Sequence, residues 1–331
     1  MKHQNVLTSF LFFLSLSSFA DEELKCINIE DDAQRLTCFD LKSSSQKSVD
    51  TYESTPEPSI VPAENTALAE RQKEEKKLFD SSYGILPYRR SYLLPLTYVQ
   101  EINQEPYQGL IADDSDESLS NYEMKFQISF KVPIGRRFLL GDDQLYFGYT
   151  QMSLWQAYNS ELSSPFRENN YQPELLWHIN LSEPLFHGRL SHVVLGLNHQ
   201  SNGQSGELSR SWNRMTFDTT WADRDWVVGL RLWYRFKESE ADDDNQDIEK
   251  YLGYGNLEVG YRWKDYRFTA TFLNNFRKDN NHTSVSFSAS RRISRKLRGF
   301  VQYYDGYGET LIDYNHRTRR FGVGVVLSDW F

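Results

Sequence analysis

Beyond its first twenty residues this 331-residue chain has no run of the roughly 18 apolar residues that a membrane-crossing helix needs, so no transmembrane helix is available. The mean hydropathy of -0.64 is clearly polar. That does not exclude a membrane, because a spanning β-barrel shows lipid only every second residue and its mean hydropathy stays low. Positive charge is also short: 37 Lys and Arg against 46 Asp and Glu give a net charge of -9, which argues against a nucleic-acid partner. Cysteine is scarcer still, with only Cys26 and Cys38, separated by an eleven-residue gap near the start of the chain. In an oxidising compartment such a pair reads as one disulfide. A metal pair is the alternative, but no His lies nearby to complete it.

Aromatic residues, by contrast, are abundant. They make up 15% of the chain, with 21 Phe, 20 Tyr and 8 Trp, and suit the interfacial girdles of an outer-membrane barrel. Residues 1–20 read as a secretory signal: Lys2 and His3, an apolar run around Phe10 to Leu16, then Ser-Ser-Phe-Ala before Asp21. No Cys follows directly, which argues against a lipoprotein anchor. Residues 21–78 read as a periplasmic extension. A short helical piece carries the two cysteines, and a Ser/Pro/Glu/Lys-rich linker follows, ending in the charged run AERQKEEKK, which is open to a short charged helix.

From about Phe79 the pattern becomes alternation. In NYEMKFQISFKV, Tyr122, Met124, Phe126, Ile128, Phe130 and Val132 share one face, and Glu123, Lys125, Gln127, Ser129 and Lys131 share the other. The pattern recurs at 226–237 and 256–264. Counting such segments predicts an all-β fold, a 12-stranded antiparallel transmembrane β-barrel over 79–331, with short strands such as 83–98 first and 319–331 last. A soluble sandwich would use the apolar face as a core. Against it stand the Arg and Lys recurring on the opposite face, and a last strand alternating through Phe321, Val323, Val325 and Leu327 to the terminal Phe331. In the barrel the charged face points inward and the apolar face meets lipid, with the long acidic connection 238–250 at the outer end.

Three polar residues interrupt the apolar rows. Val193, Leu195, Leu197, His199 and Ser201 share a face by period 2, as do Asn213, Met215, Phe217 and Thr219 on the next strand. Polar groups on a lipid-facing row are costly unless they pair or act. An ordinary antiparallel register sets His199 opposite Asn213. That would make Ser201 a nucleophile, His199 its general base and Asn213 the group that holds the imidazole tautomer. The alternative is a polar loop at the membrane interface.

The run NHQSNGQSGELSRSWNR resembles the signature of outer membrane phospholipase A. YTQMSLWQAYNSELSSPFRENNYQPEL, DDDNQDIEKYLGYG, YYDGYGETLIDYN and the terminal VGVVLSDWF resemble that family too. The similarity covers roughly 83–331 and is most specific at 196–214. It implies a calcium-dependent phospholipase A1/A2 and lysophospholipase in the outer membrane of a Gram-negative bacterium, with its active site toward the outer leaflet. The implied triad is Ser201, His199 and Asn213. Backbone N–H groups of Ser201 and Gly203 would face the oxyanion. The implied Ca2+ contacts are the carbonyls of Ser163 and Gln204 with Ser209 and Asp244, shared across a homodimer, and hard oxygen ligands suit calcium. A further acidic ligand position of the family falls on Gly206, beside Glu207, which leaves a second, monomer-type calcium site open. Gln151, on a lipid-facing row, is a candidate for a hydrogen bond across the dimer, or else a snorkelling or lumen-adjacent amide. A passive porin-like barrel is the alternative function, and a surface adhesin has no distinctive support.

Overall fold

Alternation of apolar and polar side chains builds one closed sheet in the computed structural model. It describes residues 29–38, 40, 66–79, 84–108, 118–137, 139–141, 143–294 and 296–331. The expected signal and Cys26, hence its disulfide to Cys38, fall outside these residues. The chain forms two compact units, 1–59 and 60–331. In the first, residues 32–38 are helical.

The second unit is the barrel. Its strands are β1 (Ser91–Val99), β2 (Tyr122–Arg136), β3 (Asp143–Trp155), β4 (Phe166–Leu185), β5 (Gly188–Ser201) and β6 (Ser211–Asp223). They continue as β7 (Trp226–Phe236), β8 (Gly255–Trp263), β9 (Tyr266–Asn274), β10 (Thr283–Arg292), β11 (Arg298–Gly306) and β12 (Thr318–Ser328). Each pairs antiparallel with its sequence neighbours, and β12 returns to β1 through Val323 opposite Leu96 and Phe321 opposite Tyr98, which closes the barrel at twelve strands. No helix among the described residues is long and apolar enough to cross a membrane. The long connections at 100–121, 156–165, 202–210, 237–254, 275–282 and 307–317 gather at one end, and short turns such as 186–187 and 224–225 at the other.

The faces divide as alternation predicts. Tyr122, Ile128, Leu232, Tyr234 and Phe236 are exposed on the outside, while Glu123, Lys125, Ser129, Lys131, Trp233 and Arg235 are buried inside. A buried charge is tolerable only when paired. Here Glu174 receives Arg89 at 2.9 Å and Arg231 at 3.1 Å, in mid-barrel. Toward the long-loop end Arg167 joins Glu123 at 2.7 Å to Asp313 at 2.8 Å. Arg320 and Lys125 both hold Glu309, at 2.9 and 2.8 Å. Burial alone would push the Glu309 carboxyl up, but Arg320 and Lys125 outweigh it and hold it down at about 2. A depressed carboxyl stabilises the fold fully above its ordinary value of 4.5; that contribution shrinks as pH falls below it and is gone once pH passes about 2, while the folded pair itself stays ionised down to about 2. Glu309→Gln, which takes the carboxylate from Lys125 and leaves Arg320 with Glu123 alone, is expected to cost roughly 3 kcal/mol, measurable as a lower urea midpoint of the purified barrel in detergent.

Two stretches differ from the alternation reading. The first strand starts at Ser91 rather than 83. Leu86 and Pro87 make a two-residue bridge to β2, after which the chain departs from the ladder and carries Arg89 and Arg90 into the lumen. Pro87 has no N–H to continue a ladder. At the other terminus β12 stops at Ser328, where Asp329 is drawn in by Arg90 at 2.8 Å. Phe331, expected on the outward row, is instead fully buried inside, against Ala67, Leu68, Ala222 and Val227. A Cβ on Gly260 would lie 2.5 Å from its ring, so that strand must be bare there.

The charged run at the end of the expected linker is a docked helix, α1 (Ala69–Phe79), seated at the short-turn end. Its charges have partners on the rim: Glu70 with Arg267 and Arg292, both at 2.8 Å, and Glu75 with Lys131 at 2.9 Å. Arg71 donates to the carbonyls of Pro87, at 2.8 Å, and of Asp329. Gln72 donates to the Ser191 hydroxyl at 2.8 Å.

Candidate active site

The hairpin β5–β6 pairs His199 with Asn213, Leu197 with Met215 and Ser201 with Ser211. Its outward row is apolar up to the long-loop end, with Leu195, Leu197, Met215 and Phe217 exposed. There His199 Nδ1 and Asn213 Oδ1 meet at 2.8 Å. The opposite face of the same residues fixes this register. Arg214 donates to Asn198 Oδ1 at 3.0 and 2.6 Å and to Gln200 Oε1 at 2.8 Å. Its guanidinium lies 3.8 Å from the centroid of Trp212, whose Nε1 donates to Gln200 at 3.0 Å. A slip of one residue would turn this network out into the apolar exterior, so the buried cluster holds the exposed pair in place.

Ser201 lies two residues past His199 on the same face, paired with Tyr171 on β4. Its hydroxyl makes no hydrogen bond to the imidazole. Such bonds are often long in an empty site and tighten around substrate. The structure thus brings His199 and Asn213 together and sets Ser201 beside them.

The loop 202–210 hangs on the buried Asn202. Its Nδ2 donates to Leu208 O at 2.8 Å, its Oδ1 accepts from the N–H groups of Gln204 at 3.3 Å and Arg210 at 3.0 Å, and its N–H donates to Arg210 O at 3.0 Å. Gly203 has φ +67°, and a Cβ there would come within 2.9 Å of the Tyr171 ring. Only glycine meets both conditions without strain. Gly206, also at positive φ, has open space around it, and Glu207 is exposed.

Of the four expected metal contacts, two meet: Ser209 Oγ donates to Asp244 Oδ2 at 2.6 Å. The acidic connection carrying Asp244 is braced by Arg235, which donates to Asp243 at 2.5 Å, and by Asn245, whose Oδ1 accepts from Ser211 N–H at 3.0 Å. The carbonyls of Ser163 and Gln204 make no hydrogen bond to that pair. Ser163 has φ +58°, an uncommon conformation for a non-glycine residue, in the loop 156–165. Leu162 and Leu208, one residue before Ser163 and Ser209, pack on one apolar cluster with Tyr107, Leu119 and Ile312. All these contacts are oxygen, and the touching hydroxyl and carboxylate fit a hard cation such as calcium. Among the described residues no three His, Cys, Asp or Glu side chains gather as a metal site, which leaves no zinc-type ligand set.

Gln151 stands on the outward row of β3, opposite Tyr171, so Gln151, Tyr171 and Ser201 line up across three strands. Its amide accepts from the Tyr149 hydroxyl and donates to the Ser153 hydroxyl, both at 3.2 Å. Sequence reasoning missed Glu238, which accepts a hydrogen bond from Asn213 Nδ2 at 2.7 Å, and the loop anchor Asn202.

A family model described as Phospholipase A1 matches residues 68–327. Phospholipase A1 of Escherichia coli (strain K12) is 37% identical over 252 residues, which cover 76% of this chain and 84% of the relative. The chain belongs to the phospholipase A1 family. The solved outer membrane phospholipase A from Escherichia coli is similar at 36% identity with a TM-score of 0.70, covering 76% of this chain and 95% of that one. The Salmonella typhi outer membrane phospholipase dimer, solved with bound calcium, is similar at 33% identity with a TM-score of 0.72, covering 79% of this chain and 99% of that one. This phospholipase is therefore an enzyme of phospholipid hydrolysis carried on an outer-membrane barrel. The match begins at 68, so it takes in α1 of the phospholipase, where the sequence was open to a short charged helix at the end of the linker.

Proposed function

We propose that this phospholipase cleaves acyl esters of glycerophospholipids at either acyl position, and of lysophospholipids, from the outward face of its barrel with a Ser201–His199–Asn213 triad. The observation that carries this reading is the His199 Nδ1 to Asn213 Oδ1 contact of 2.8 Å on the apolar outer surface, with Ser201 one period-2 step away. Ser201 Oγ attacks the ester carbonyl carbon while His199 Nε2 takes its proton. The carbonyl oxygen becomes an oxyanion facing the N–H groups of Ser201 and Gly203. Collapse expels the glycerol oxygen, which receives the proton from His199, and leaves the acyl group on Ser201. Water, deprotonated by the same imidazole, then releases the fatty acid and restores the serine. Asn213 accepts from the Nδ1–H throughout and so keeps the lone pair on Nε2.

Ser209 and Asp244, with the carbonyls of Gln204 and Ser163, would hold calcium, shared across a homodimer in which Gln151 pairs between copies. When bound, calcium adds positive charge and an ordered water beside the oxyanion. We further infer that the long-loop end faces the outer leaflet and that residues 21–78 lie in the periplasm once 1–20 are removed. The test of the reading is fatty-acid release from detergent-dispersed phospholipid, with calcium and with a chelator. No release under either condition would sink it.

A porin-like role is disfavoured by the paired charges that fill the lumen around Glu174 and Glu309, and by α1 at one mouth. In planar lipid bilayers the wild-type barrel is expected to give no steady ohmic current, whereas regular porin-sized steps would support a pore.

A further inference from the structure

Asn213 carries an amide whose two ends are alike in shape and opposite in chemistry, one oxygen that accepts and one nitrogen that donates. The oxygen faces His199 Nδ1 at 2.8 Å, and the nitrogen donates to Glu238 Oε1 at 2.7 Å. Glu238 follows β7, whose Phe236 is paired opposite Asn213. Two residues past Phe236, the period of an extended chain returns the side chain to the outward side. His199, Asn213 and Glu238 therefore form a line of hydrogen bonds over β5, β6 and the end of β7.

We propose that Glu238 is a positioning residue that selects the orientation of the Asn213 amide and, through it, the tautomer of His199. The proposal rests on the triad reading above. A carboxylate oxygen has no proton to give, so it can hold only the NH2 end of the amide. Turning the amide over would set oxygen against oxygen and lose the bond. With Oδ1 kept toward the ring, His199 must carry its proton on Nδ1 to make the contact, and the lone pair falls on Nε2, the nitrogen that takes the Ser201 proton. With the amide reversed, its NH2 would donate to a bare Nδ1, the ring proton would move to Nε2, and the base would be blocked. An aspartate in the triad would not face this choice, because both its oxygens accept. A neutral asparagine needs a neighbour that tells its ends apart, and Glu238 is placed to do so. It comes from a connection that otherwise reads as a solvated acidic run.

The experiment uses the full-length barrel in detergent with calcium and compares four proteins: wild type, Glu238→Ala, Glu238→Gln and Asn213→Ala. It adds the Asn213→Ala and Glu238→Ala double variant. Glu238→Ala is expected to lower kcat about 10-fold with KM within about twofold, because only the fraction with the productive tautomer can react. Glu238→Gln, whose amide can accept from the NH2 end of Asn213 or donate to its oxygen, no longer tells the two ends apart and should lower kcat too, by no more than Glu238→Ala. On the Asn213→Ala background Glu238→Ala should add no further loss. Wild-type kcat in Glu238→Ala or in Glu238→Gln, or the same additional loss on both backgrounds, would each overturn the proposal. Wild-type activity in Asn213→Ala would instead bring down the triad reading and this proposal with it. Nitrogen-15 NMR of labelled histidine gives a readout independent of turnover. The His199 signal should report the Nδ1–H tautomer in wild type and shift toward Nε2–H in Glu238→Ala, and an unchanged tautomer would count against the role.

Discussion

Ser201→Ala is expected to reduce calcium-supported fatty-acid release by at least about 10³-fold while leaving the barrel folded. The size follows from what the alanine removes. Without Oγ no acyl-enzyme forms, and only direct attack by water, helped by whatever oxyanion donors and substrate binding remain, is left. His199→Ala should cost about as much, and the double variant little more, because nucleophile and base act as one unit. The hairpin should survive either change, since its register is set on the opposite face by Arg214, Asn198, Gln200 and Trp212. Unchanged migration of the folded barrel in mild-detergent gels would check this. Release persisting near the wild-type rate in Ser201→Ala would remove the serine from the chemistry and point to a different nucleophile.

Calcium withdrawal is the second large effect. Chelation is expected to lower kcat by about 10² to 10³, the usual worth of a lost oxyanion stabiliser, and added calcium should restore it. Asp244→Ala should raise the calcium concentration needed for half-maximal activity at least tenfold, because it removes the one carboxylate of the expected ligand set. Ser209, which donates to Asp244 at 2.6 Å, should show a smaller shift in the same direction on change to alanine. Cross-linking during the titration tells whether dimer and activity rise together. Full activity in excess chelator would dismiss the metal altogether.

Much of the barrel was legible because alternation is a direct image of a two-sided sheet. In β2 the order from Tyr122 to Val132 assigns every side chain to lipid or lumen, and the structure agrees. The pairing of His199 with Asn213 was legible for the same reason: parity fixed their face, and a short loop left few registers. The misses lie where local pattern no longer decides. Phe331 continues the outward row by count, yet Asp329 and Arg90 pull the last residues inward, and that ion pair joins positions 239 apart in sequence. A short charged helix at the end of the linker was legible, but the docking of Ala69–Phe79 was not, because its charges find partners only on distant strands. Glu238 was hidden for a related reason. It is one acid in an acidic stretch, although counting two from Phe236 would have returned it to the row that contains Asn213. Asn202 gave no periodic signal, since a loop anchor has none.

The floor of the barrel also bears on how the chain folds. Eleven of its twelve neighbour pairings join consecutive strands and can form as short hairpins, but the seam between β1 and β12 joins segments more than two hundred residues apart. That closure carries the largest loop entropy and the slowest search. Beside the seam Arg71 and Arg90 grip Asp329, and Phe331 inserts against Ala67 and Leu68, so the segment before the first barrel strand and the segment after the last are clasped by contacts outside the sheet. The clasp cannot engage until the final residue is in place. A chain lacking Asp329, Trp330 and Phe331 would keep nearly every ladder hydrogen bond yet lose the contacts that hold the seam from outside the sheet.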